Sequence, residues 1–176
     1  MKKLSVLIAI LFFSIAHSQS NIKLSGYLST QLNITTWDQT TGNNPWGIGL
    51  GAQLFLLNKS KLRPTIELTF DGYPQDDQVL RYDTVTGKGY DDVGTLFNIL
   101  AGLSYHPNKI VFFSLTAGPS RINGNTLLAF KPSVGCFFSE KQRWMAKFSV
   151  IDVINRTKTT GKDFGSGSFS LAVRLF

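Results

Sequence analysis

Leu62-Arg63-Pro64-Thr65-Ile66-Glu67-Leu68-Thr69-Phe70-Asp71 is the stretch that decides the fold. Successive side chains of an extended strand point to opposite faces. One face of this strand therefore carries Leu62, Pro64, Ile66, Leu68 and Phe70, and the other carries Arg63, Thr65, Glu67, Thr69 and Asp71. All three charges share one parity. A strand this long with one wholly apolar face has to bury that face against something.

Seven other segments repeat the period of two. Segment one, IKLSGYLST, aligns Ile22, Leu24, Gly26 and Leu28. Segment two, WGIGLGAQLFLL, aligns Trp46, Ile48, Leu50, Ala52, Leu54 and Leu56, with Gly47, Gly49 and Gly51 opposite. Segment three is the stretch above. Segments four and five align Phe97, Ile99, Ala101, Leu103 and Tyr105, and then Val111, Phe113, Leu115 and Ala117. Segment six aligns Leu128, Phe130, Pro132, Val134, Cys136 and Phe138. Segment seven aligns Trp144, Ala146, Phe148 and Val150, and segment eight aligns Phe169, Leu171, Val173 and Leu175.

Lys23, Arg63, Glu67, Asp71, Lys131, Arg143, Lys147 and Arg174 all fall on the polar face. A Lys or Arg facing lipid near mid-bilayer costs about 2–4 kcal/mol, so a charge-free face is what a bilayer demands. A strand of about 11 residues, rising about 3.3 Å per residue and tilted about 40°, spans roughly 28 Å, close to a hydrocarbon core. The pattern predicts an all-β chain, an eight-stranded antiparallel up-and-down transmembrane β-barrel. The alternative is a soluble lipocalin-like binding barrel with the faces inverted. It would crowd Phe70, Phe97, Phe113, Phe130, Phe148 and Phe169 into an interior barely wide enough for packed side chains.

The first residues read differently. Lys2 and Lys3 precede an apolar run from Leu4 to Ala16, and Ala16 and Ser18 are small residues at cleavage-site spacing. The run is too short to span a bilayer as a helix. It reads as a signal peptide over 1–18, leaving a barrel domain over 19–176. With Cys136 the only cysteine, no internal disulfide is available. The formal charge is +7, or +5 without Lys2 and Lys3, and an exported chain has no nucleic acid to meet.

The connections alternate in length. Residues 58–61, 106–109 and 139–142 read as short turns, and 31–45, 72–94, 119–126 and 152–164 as longer polar loops. Short turns on one side and long loops on the other are the outer-membrane arrangement, which puts both termini on the periplasmic side.

With the terminal strand GSGSFSLAVRLF, these features resemble the small outer-membrane β-barrel superfamily that includes the OmpA transmembrane domain and OmpX. The resemblance spans about Ile22 to Phe176. It implies an integral outer-membrane location, an assembly signal in Phe169, Leu171, Val173, Leu175 and Phe176, and the barrel-assembly machinery as a partner during biogenesis. Phe176 departs from the pattern, because it shares parity with Arg174 rather than with the apolar residues before it. Pro132 is also awkward in mid-strand, where it loses a ladder hydrogen bond; a local bulge is the expected remedy.

The chemistry is sparse. His106, in a short turn, is the only histidine after cleavage; it reads as a solvated turn residue. There is no metal-ligand spacing, nucleophile elbow, P-loop or dinucleotide fingerprint, so no catalytic residue, metal or cofactor is expected. The inward charges read as an interior ion-pair network, with a narrow anion-attracting pore as the rival. Tyr73, Asp76, Asp77, Tyr82, Asp83, Tyr90, Asp91 and Asp92, in the longest loop, read as surface contacts. Arg121, Arg156, Lys158 and Lys162 read as candidates for lipopolysaccharide phosphates, and Trp46, Tyr27, Tyr105 and Trp144 as an interfacial aromatic girdle. The expected function is a structural or interaction barrel whose surface loops meet outer-membrane lipids, lipopolysaccharide or a protein partner. The alternatives are an accessory subunit of an envelope transport or secretion complex and a lipid-modifying enzyme.

Overall fold

The computed structural model describes residues 23–37, 45–57, 59–74, 94–122, 125–138, 141–154 and 163–176. Eight strands follow in chain order: β1 (Lys23–Trp37), β2 (Trp46–Leu57), β3 (Leu62–Gly72), β4 (Thr95–Tyr105), β5 (Val111–Ile122), β6 (Asn125–Phe137), β7 (Trp144–Val153) and β8 (Phe164–Arg174). Each pairs antiparallel with the next, and β8 returns to β1, closing the barrel. The signal-peptide reading falls on residues outside those described.

The outward face carries the predicted parity. Ile48 is 67 % exposed, Leu32 62 % and Leu115 59 %, and the same face of every strand shows apolar side chains to the surroundings. Soluble proteins rarely expose an apolar surface of this extent. The inward positions are buried, down to Asn98 and Ser170 at 0 % exposure. The faces are those of a transmembrane barrel, and the lipocalin-like arrangement is ruled out.

Two boundaries differ from the expectation. β1 runs seven residues beyond Thr30 to Trp37, because Gln31, Asn33 and Thr35 turn inward while Leu32 and Ile34 stay outside. β5 and β6 run to Ile122 and from Asn125, so only Asn123-Gly124, the dipeptide favoured in tight hairpins, separates them where a loop over 119–126 was expected. Pro132 needs no bulge. The β6–β7 pairing skips Lys131 and Pro132, between Phe130↔Asp152 and Ser133↔Ser149, without a shift in register.

The lumen has three layers. At the end where the strands meet the short turns, Tyr27, Phe55, Phe112, Phe137, Met145 and Ala172 form an apolar plug. At the loop end a second cluster includes Tyr73, Leu96, Leu100, Ile122, Ile151 and Phe164. Polar side chains fill the space between. Phe55 and Phe112 meet edge to face with ring centroids 5.5 Å apart, and Phe112 and Phe137 lie 5.2 Å apart. Such aromatic pairs contribute about 0.5–1.5 kcal/mol beyond their buried area.

Inner glycines make these layers possible. A Cβ on Gly135 would overlap the Phe112 ring, and one on Gly49 would overlap the Asp71 carboxylate. A Cβ on Gly47 would meet the Tyr73 ring at 2.7 Å. The repeated glycine of β2 is thus a strip of missing side chains that admits Asp71 of β3 and Tyr73 just beyond it.

Candidate functional site

The middle layer is built from β1, β2, β3, β6, β7 and β8. Lys131 Nζ and Lys147 Nζ each lie 2.7 Å from Glu67 Oε1. Lys147 also donates to Gln53 Oε1 at 2.9 Å, and Gln53 Nε2 donates to Thr65 Oγ1 at 3.3 Å. Asp71 accepts from Gln31 and from Asn33 Nδ2, the latter at 2.7 Å, and Ser170 Oγ donates to Gln31 Oε1 at 3.2 Å. All four charged groups are buried. A charge in this layer is tolerated only with a partner and hydrogen bonds, and two acids against two bases leave it neutral.

Only half of the predicted interior charges belong to this network. Lys131 and Lys147 are brought onto Glu67, and Asp71, buried in the same layer, is held by Gln31 and Asn33. Lys23 and Arg143 are exposed at the turn end, and Arg63 and Arg174 are half-buried at the same rim. The expected interior excess of six positive charges over two negative is therefore corrected. Position along the strand decides it: rim cations extend toward water, and only mid-strand charges must pair. Sequence reasoning missed Gln31, Asn33 and Gln53, and placed Thr65 on the polar face without a role. Gln31 and Asn33 alternate with Leu32 and Ile34, and that alternation was the signal available.

Tyr73 is a second correction. It was expected on the loop surface, but it is 3 % exposed inside the barrel. Its hydroxyl donates to Ser166 Oγ at 2.8 Å and its ring packs edge to face on Phe164. Asp76, Asp77, Tyr82, Asp83, Tyr90, Asp91 and Asp92 lie outside the described residues. Tyr27, expected in the outer girdle, also points inward; Trp46, Tyr105 and Trp144 are exposed as expected.

The terminal strand shows Phe169, Leu171, Val173 and Leu175 to the outside. Phe176 resolves its parity conflict by a bulge-like shift at the strand end, where Gly26 bonds to both Leu175 and Phe176. Its ring lies across Gly26, where a Cβ would approach the ring tip at 2.6 Å. Gly26 shares the outward parity of Leu24 and Leu28, so the Phe176 ring covers a bare patch of the outer face. The ladder continues through Leu175 N–H to Gly26 O at 2.8 Å and Gly26 N–H to Phe176 O at 3.2 Å.

His106 is not solvated. It is 3 % exposed, stacks on Phe112 with centroids 5.4 Å apart, and lies edge to face against Phe55. Neither ring nitrogen has a hydrogen-bond partner among the described residues. Burial first, and the Arg63 guanidinium second, push its pKa from the ordinary 6.5 down to about 4. The folded chain therefore binds fewer protons than the unfolded chain between these values. Stability contributed by neutral His106 is whole above pH 6.5 and drains away as pH falls to about 4, by on the order of 2–3 kcal/mol. Urea unfolding at pH 7 and pH 5 should show a larger loss of midpoint for wild type than for His106→Phe. Equal losses would remove His106 from the account. Among the described residues no three His, Cys, Asp or Glu side chains gather to hold a metal ion.

The fold is shared with solved structures, although no family model and no curated protein matches the chain. The attachment invasion locus protein Ail of Yersinia pestis, in complex with the heparin analogue sucrose octasulfate, superposes with a TM-score of 0.56 at 9 % identity, covering 88 % of this chain and 99 % of that one. Neisserial surface protein A gives 0.55 at 12 % identity, with 88 % and 98 % covered. A barrel from the de novo design of transmembrane β-barrels gives 0.52 at 6 % identity, with 86 % and 95 % covered. With its closed ring of eight antiparallel strands, outward apolar belt and paired interior charges, the chain has the fold of the small eight-stranded outer-membrane β-barrels.

Proposed function

We propose that the chain is an integral outer-membrane barrel, with both termini periplasmic, that acts through its loop end on lipopolysaccharide or another anionic surface glycan rather than through its lumen. The observation behind this reading is the filled lumen. An apolar plug closes each end of a neutral polar layer, which leaves no wide polar path for an ion. Work done by this barrel then falls to what protrudes. β1 and β8 have their outer ends at the turn end, which suits a chain that enters from the periplasm. The loop end carries the exposed Arg121, and the sequence adds Arg156, Lys158 and Lys162 in the last loop. Guanidinium and ammonium groups bind phosphate and sulfate through charge-assisted hydrogen bonds. The heparin analogue on the superposed Ail structure is a ligand of that class, and it supports the choice of an anionic glycan.

The test has two arms. Reconstituted in planar bilayers, the protein should give no conductance steps, whereas stepwise conductance would favour the pore. Lipopolysaccharide retained by the detergent-solubilised protein should fall on changing Arg121, Arg156, Lys158 and Lys162 together to Gln. Undiminished retention would contradict the glycan reading.

A further inference from the structure

We propose that the turn end holds a built site for the headgroup of an anionic phospholipid, on the outside of the β7–β8 pair, where Lys141, Arg143 and Arg174 stand over a shelf of Trp144, Val173, Leu175 and Phe176. These residues line one open depression. It sits at the edge of the apolar belt, where a headgroup meets cations while its acyl chains lie on exposed Trp144 and Leu175. The Phe176 ring, turned outward over Gly26, extends that shelf toward β1.

The backbone here is held in place. Gln142 has a φ of 51°, a left-handed conformation that non-glycine residues rarely keep unless their surroundings enforce it. Three elements enforce it. The Tyr27 hydroxyl donates to Gln142 O at 3.0 Å from inside the barrel, and Gln142 Nε2 donates to Lys109 O at 2.8 Å in the neighbouring turn. Arg174 Nη1 donates to Lys141 O at 3.3 Å, and Arg174 N–H to Arg143 O at 2.8 Å. Lys141 and Arg143 thus flank a pinned residue, and Arg174 is anchored beside them through Nε to Phe176 O at 2.9 Å.

Charge complementarity selects an anionic over a zwitterionic lipid. Lys23, Lys59, Lys61 and Lys109 lie at the same end, and Glu140 is the one acidic side chain that the sequence places there. Basic residues near a membrane surface attract anionic headgroups. An inorganic phosphate would use the cations but not the shelf, so the two differ in whether the aromatic side chains matter.

The proposal rests on the membrane-embedded reading of the barrel and on nothing about its loops. Wild type, Lys141→Gln/Arg143→Gln, Trp144→Ala and a Lys59→Gln/Lys61→Gln control are reconstituted in phosphatidylcholine containing a minority of phosphatidylglycerol. Native mass spectrometry then counts the phosphatidylglycerol retained on release. Wild type should retain it several-fold above its bulk share, and the control, which removes two rim cations outside the depression, should lose less than the double variant. The double variant should fall to the bulk share, and Trp144→Ala should be lowered. No enrichment on wild type, full enrichment on the double variant, or displacement by excess inorganic phosphate would each overturn the proposal. A heat-modifiability gel on the same samples separates the two readings, since a wild type that does not fold in lipid speaks against the membrane barrel and not against the site.

Discussion

Glu67→Gln should destabilise the barrel by about 3–5 kcal/mol, because it strands two buried ammonium groups on one neutral amide. Both lysines use the same oxygen, Glu67 Oε1, at 2.7 Å, and Asp71 is already taken by Gln31 and Asn33. The middle layer changes from neutral to positive in a site that water cannot relieve. With total stabilities of about 5–15 kcal/mol typical of folded domains, such a loss moves the urea midpoint by a large fraction of its value. Replacing the whole charge set with neutral side chains of similar volume, as in Glu67→Met/Asp71→Asn/Lys131→Met/Lys147→Met, should recover most of that loss, since the desolvation cost of the ions disappears with them. A Glu67→Gln midpoint equal to wild type would show that the lysines find water, and so that the lumen is open.

Ile99→Arg should cost about 2–4 kcal/mol in a lipid bilayer, whereas Tyr105→Arg on the same strand should cost about 0–1 kcal/mol. The two side chains are equally exposed, at 46 %. Ile99 lies opposite Leu68 near the middle of the β3–β4 ladder, and Tyr105 lies opposite Leu62 at its turn end. In a soluble barrel both would be ordinary surface changes, worth within about 0.5 kcal/mol of zero. Depth dependence at constant exposure arises only if lipid surrounds the strand. Unfolding midpoints in vesicles read the difference, and equal costs at the two positions would refute a lipid-facing belt.

The outer face was legible in the sequence because one rule governs it: a charge on that face is costly at every strand. Glu67, Asp71, Lys131 and Lys147 could be assigned inward from parity alone. The plugs were not legible for the converse reason. Phe55, Phe112 and Phe137 are inward residues flanked by outward apolar ones, as in Leu54-Phe55-Leu56 and Val111-Phe112-Phe113. The runs they make erase the period locally, so an inward apolar residue looks like part of the belt. The opposite masking hid the second half of β1, where inward Gln31, Asn33 and Thr35 read as a loop. Tyr27 and Tyr73 share a third cause. Their parity pointed inward, but a tyrosine near a strand end also suits an interface, and only glycine gaps such as Gly47 show that the lumen has room. Phe176 lay beyond parity altogether, since its ring is placed by the bare surface of Gly26 and not by the strand it follows.

The most direct test of the account is a depth scan of one strand in a bilayer. In a Cys136→Ser background, spin labels placed in turn at the outward positions Phe97, Ile99, Ala101, Leu103 and Tyr105 report collisions with oxygen, which concentrates in lipid, and with an aqueous nickel chelate. The account predicts that the oxygen-to-nickel ratio peaks near Ile99 and Ala101 and falls toward Tyr105. A uniformly high nickel accessibility along these five positions would contradict a membrane-spanning barrel.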